Sequence, residues 1–117
     1  MLRSALTPLA DSISLAFIYG SVARGEEKSE SDIDLMVIGK ASLEDVLGKL
    51  SSVEASLRRA VNPTVFSASE FKTKLASGNH FLYSVLRGEK IFLIGDEDEL
   101  RKVGGIRLAQ NGTDKSR

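Results

Sequence analysis

The chain has 117 residues, 42% hydrophobic and 27% charged, which suits one ordinary globular domain with a modest core. Lysine plus arginine equals aspartate plus glutamate, 16 of each, so the charge balance gives no argument for a surface that coats nucleic acid. There is no cysteine, which excludes a disulfide framework, a thiolate metal site and a thiol nucleophile. The N-terminus lacks the layout of a signal peptide, and no apolar run approaches about eighteen residues. The expectation is a cytoplasmic protein with no membrane segment.

In chain order, Leu2, Leu6 and Leu9 are spaced for one face of a short helix, which Pro8 interrupts. Ser14 to Tyr19 reads as a first strand, apolar nearly throughout and therefore central. Glu26, Glu27, Lys28 and Glu30 read as a solvated loop. Asp32 to Ile38 is a second strand, with Ile33, Leu35 and Val37 on one face and Asp32, Asp34, Met36 and Ile38 on the other. The second face starts charged and ends apolar, as expected of a strand that emerges from a helical layer into a cleft.

Ser42 is a candidate N-cap, with Asp45 three residues on. The helix it opens buries Leu43, Val46, Leu47 and Leu50, continues through Val53 and Leu57, and carries Arg58 and Arg59 in its last turn. Asn62-Pro63 reads as a break, and Thr64 to Ser67 as a short third strand. Ser67-x-x-Glu70 is a capping box that opens a helix with Phe71 and Leu75 inward and Gly78 as its stop. Asn79 to Arg87 is a further helix with Phe81, Leu82, Val85 and Leu86 buried; Phe81, Leu82 and Tyr83 read as core rather than as a base-stacking platform. His80, the single histidine, reads as a cap-region or surface residue. Lys90 to Ile94 is an edge-like strand, and Asp96 to Val103 a last short helix, acidic first and basic last. The domain is expected over 1–103, with its motif core at 14–95 and a flexible tail over 104–117.

The chemistry concentrates between Gly20 and Gly39. Gly20-Ser21 is followed, after ten residues, by Asp32-x-Asp34 and an apolar run. Two carboxylates at i and i+2 of a strand share a face, about 7 Å apart along it. At that separation each raises the other's pKa unless a cation lies between them. Hard oxygen ligands in small number suit Mg²⁺, which completes its shell with water and phosphate oxygens. Gly20 lets the backbone approach a ligand, and Ser21 offers a hydroxyl and an N–H. A helical turn over Ser21 to Arg24 would aim free N–H groups at an anion. An anion cradle beside a divalent-cation site is what a nucleoside triphosphate requires.

This pattern, Gly-Ser-x-Ala-Arg-Gly ahead of Ser-Asp-Ile-Asp-Leu, resembles the minimal nucleotidyltransferase domains of the DNA polymerase beta-like nucleotidyltransferase superfamily. The resemblance implies a mixed α/β sheet with helices packed on one side and the site on a hairpin. It implies transfer of a nucleoside monophosphate from ATP or another NTP, with Mg²⁺ or Mn²⁺, to a hydroxyl acceptor. Asp32 and Asp34 would be catalytic and hold the metal, Gly20 and Ser21 the β- and γ-phosphates, and Arg24 a phosphate oxygen; Arg24 pairs equally well with Glu26 or Glu27. The superfamily's active members carry a third carboxylate on the following strand, and Thr64 falls where it belongs. A threonine hydroxyl is neutral at pH 7 and cannot replace a carboxylate base. Three functions stay open: a transferase, a nucleotide-binding regulatory or adaptor module with impaired chemistry, and an antitoxin-like partner of a small helical protein. Nucleic acid is not expected to bind to this domain alone.

Overall fold

The computed structural model describes residues 2–25 and 32–105. The loop residues Glu26, Glu27, Lys28 and Glu30, and residues 106–117 of the tail expected over 104–117, lie outside the described residues. The chain opens with α1 (Leu2–Leu6), and a 3-10 segment (Thr7–Ser12) with Pro8 in its first turn leads into β1 (Ile13–Tyr19). Then come α2 (Gly20–Ala23), β2 (Ile33–Gly39), α3 (Leu43–Leu57) and β3 (Val61–Phe66). The C-terminal part contributes α4 (Ala68–Ala76), α5 (His80–Arg87), β4 (Ile91–Ile94) and α6 (Glu97–Gly104).

The strands form one sheet in the order β3-β2-β1-β4. β1 runs antiparallel to both β2 and β4, and β2 runs parallel to β3, so the expected mixed sheet is present. β1 and β2 are central, which explains why both are apolar on both faces through their middles. The helices therefore cover both faces, not one as expected. Ala16, Ile18, Ile33, Leu35 and Val37 pack with Leu2 and Leu6 of α1 and Val46, Leu50 and Val53 of α3. Leu15, Phe17, Met36 and Ile38 pack on the opposite face with Phe71, Leu75, Leu82, Val85 and Leu100 of α4, α5 and α6.

The two capping boxes form as expected. The Ser42 side chain accepts from the Asp45 N–H at 3.1 Å, and the Ser67 side chain accepts from the Glu70 N–H at 3.1 Å. Four burial expectations are corrected. Leu43 and Leu47 are each 47% exposed, because the buried stripe of α3 runs through Val46, Leu50 and Val53 instead. Phe81 and Tyr83 are 46% and 41% exposed, one position to either side of Leu82 in the Leu82–Val85 stripe that meets the sheet. β3 also starts earlier than Thr64. Pro63 lies inside it, paired with Leu35, which an edge strand tolerates because the missing donor can face outward. Among the described residues, no helix is long and apolar enough to cross a membrane.

Candidate functional site

The turn after β1 and the start of β2 meet because the two strands are hairpin neighbours, with Tyr19 opposite Asp34. Gly20 has φ +75°, and a Cβ built on it would lie 2.7 Å from Asp34 Oδ2. The position thus requires glycine twice: for its left-handed backbone and for its direct approach to a carboxylate. Gly20 opens the short α2 turn, which contains the half-buried Ser21; no side chain caps its start. The opening N–H groups of a helical turn have no partner within it. Arg24 follows as the C-cap, exposed and on the rim of a hollow that it shares with Gly20.

Asp32 stands exposed just ahead of β2, and Asp34 is partly buried within it. Alternation puts both on the face that carries Met36 and Ile38. Burial pushes the Asp34 carboxyl above its ordinary range, and the charge of Asp32 pushes it further. That coupling fits a pair of acids close enough to share a cation. Two hard oxygen donors, one of them destabilised by the other, form a donor set suited to Mg²⁺ or Mn²⁺. Among the described residues, no group of three or more His, Cys, Asp and Glu gathers into a metal cage, so water and phosphate oxygens would complete any such shell.

Thr64 was expected to replace a third acid beside this pair. It shares the face, but it sits opposite Met36, one step deeper along the sheet. Its side chain lies toward the Tyr19 hydroxyl instead. The β3 residue in register with Asp34 is Asn62, whose Nδ2 donates to Asp32 Oδ2 at 3.1 Å. Reading Asn62-Pro63 as a break before the strand hid this neighbour of the acid pair. The parity of Asn62 with Thr64 and its place after the apolar Val61 are the sequence signals that point to it. Tyr19 is the other residue the sequence reading did not assign to the site. Burial raises its phenol's pKa, the Thr64 side chain lowers it, and the Asp34 charge raises it. His80 is exposed at the start of α5.

The family model described as "Polymerase beta, Nucleotidyltransferase" matches residues 5–98. Among solved structures, the chain is similar to a chain in a mutant of the toxin–antitoxin pair MntA-HpeT, at 14% identity over 87% of this chain and 77% of that one, with a TM-score of 0.61. A second mutant of that pair gives 17% identity, 86% and 75% coverage and a TM-score of 0.58. A toxin–antitoxin structure with AMP-PNP gives 15%, 90% and 82% coverage and a TM-score of 0.56. At these identities the likeness shows the fold alone. No curated protein matches the chain. The matched span takes in Gly20, Ser21, both aspartates and Asn62, and it covers most of the sequence; the chain belongs to the polymerase beta nucleotidyltransferase family.

Proposed function

We propose that the domain binds a nucleoside triphosphate together with a divalent cation and transfers the nucleoside monophosphate to a hydroxyl acceptor. The observation that carries this reading is the contact between Gly20 and Asp34. A Cβ at Gly20 would sit 2.7 Å from Asp34 Oδ2, so an anion-accepting turn and a pair of acids share one small space. In this reading Gly20 and Ser21 receive the β- and γ-phosphates through backbone N–H groups and the serine hydroxyl. Asp32 and Asp34 hold Mg²⁺ or Mn²⁺, and Arg24 offers charge to a phosphate oxygen. The bound cation would offset phosphate charge and polarise the reacting phosphoryl group. Asn62 fixes the orientation of Asp32 through its 3.1 Å hydrogen bond. The acceptor oxygen attacks the α-phosphorus, the bond from that phosphorus to the α,β-bridging oxygen breaks, and pyrophosphate leaves with that oxygen. The acceptor proton goes to solvent, which reaches the exposed Asp32 side of the site.

A second reading is favoured by Asn62 itself. An amide beside the acid pair cannot take a proton at neutral pH, and loss of a general base costs typically 10²–10⁴-fold in rate. On that reading the domain binds the nucleotide as a regulatory or antitoxin-like partner of another protein. Incubation with α-labelled ATP and Mg²⁺ or Mn²⁺, with candidate acceptor proteins present, separates the two. Label transfer that disappears in Asp32→Ala and Asp34→Ala supports the enzyme. Cation-dependent ATP binding without transfer to any acceptor supports the binding module. Absence of cation-dependent binding would overturn both.

A further inference from the structure

A groove of about 510 Å³ lies between α4, α5 and α6, on the outer side of the helical layer from the sheet. Leu75, Tyr83, Leu86 and Leu100 line it, while Lys72 and Arg87 also border it. Its walls are fixed by hydrogen bonds that do not depend on an occupant. The Tyr83 hydroxyl donates to the Leu75 carbonyl at 2.9 Å, which ties α5 to the last turn of α4. Lys90 Nζ donates to the Leu86 and Gly88 carbonyls and pairs with Glu97 at 3.4 Å, which ties the end of α5 to the start of α6. A preformed apolar groove of this size suits a docked helix face, since little ordering remains to be done on binding.

The border of the groove says which helix. Lys72, Arg87 and Arg101 carry positive charge there, and the one acid among the lining residues, Glu97, is already paired with Lys90. Arg101 donates from Nη1 to Asp98, but its Nε is buried without a hydrogen-bond acceptor among the described residues. The Arg101 side chain is 42% exposed, so its guanidinium can also meet a carboxylate of a partner. The chain's own last residues, 106–117, contain Arg107, Lys115 and Arg117 against Asp114, the same sign as the border. We infer that this groove docks an acidic amphipathic helix of a partner protein, with aliphatic side chains on the apolar floor and carboxylates toward Lys72, Arg87 and Arg101. The inference is independent of the nucleotide reading, because none of the site residues above lines the groove.

The test uses the full-length chain and two capped amphipathic helical peptides with the same leucine stripe, one with glutamates on its polar positions and one with lysines. Calorimetric titration should show binding of the glutamate peptide at least tenfold tighter than the lysine peptide. Arg87→Glu combined with Arg101→Glu should reverse that order, and Ala76→Trp, which fills the groove, should abolish binding of both. Thermal melts of each variant establish that it is folded. Equal binding of the two peptides, binding that survives Ala76→Trp, or no binding of the glutamate peptide overturns the inference.

Discussion

Asp34 is the residue at which folding and the proposed function oppose each other. Its carboxyl is raised first by burial and then by the Asp32 charge. The folded chain therefore holds this proton more tightly than the unfolded chain does. Its ionisation costs no stability below the unfolded value near 3.8, and a growing amount as the pH rises from there through the raised folded pKa. Asp34→Asn should raise the melting temperature of the cation-free protein at pH 7 by a few degrees, consistent with about 1 kcal/mol or less for a partly exposed group. At pH 3 the two proteins should melt together, because the aspartate is then protonated in both states. A larger gain at pH 3 than at pH 7 would contradict this account. Asn62 supplies the complementary change. Asn62→Asp would put a third carboxylate in register with Asp34 and remove the donor to Asp32. It should lower the melting temperature without cation, restore it with Mg²⁺, and raise label transfer by about 10²-fold or more if a missing base limits the rate. Thr64→Asp should lower stability with no such rescue, because that position lies beside Met36 and under the Tyr19 hydroxyl.

At the scale of elements, the regular parts were legible because pattern and capping agreed. Ser42 with Asp45 and Ser67 with Glu70 close capping boxes in the way their spacing implies. The alternation of β2 correctly separated Leu35 from Met36 onto opposite cores. What was not legible depended on tertiary placement. Pro63 looked like a boundary, but β3 is an edge strand and accommodates it, and that puts Asn62 rather than Thr64 in register with Asp34. The outer exposure of Leu43, Leu47 and Phe81 could not be read from periodicity, which gives a face but not which part of that face the sheet covers. Arg58, expected within the last helical turn, is instead the left-handed cap of α3, with φ 55° and ψ 38°. A non-glycine residue there carries a backbone cost of roughly 1 kcal/mol. Arg58→Gly should therefore raise the melting temperature by a few degrees and leave ATP binding unchanged, as α3 lies across the sheet from Asp34. A fall in melting temperature would show that the arginine side chain contributes more than its backbone costs.

At the scale of the molecule, the candidate site occupies one end of the β1–β2 hairpin, between two apolar cores that share those strands. Gly20 and Asp34 come together only when that hairpin is paired, so the unfolded chain has no equivalent site. A ligand that bridges them must stabilise the whole sheet, since β1 and β2 belong to both cores. At a hundred times its Kd, such a ligand adds about 2.7 kcal/mol, or roughly 10 °C in melting temperature for a domain of this size. The increase should require ATP and Mg²⁺ together. ATP alone brings phosphate charge against Asp32 and Asp34, and Mg²⁺ alone gains only two protein ligands and keeps most of its water. Asp34→Ala should abolish the increase while leaving the cation-free melt close to wild type or above it, because it removes the raised carboxyl. Gly20→Ala should lose both, since the new Cβ meets Asp34 Oδ2 at 2.7 Å and the backbone there has φ +75°. Melting curves that overlay with and without Mg-ATP at millimolar concentration would remove the turn and the aspartates as a joint nucleotide site.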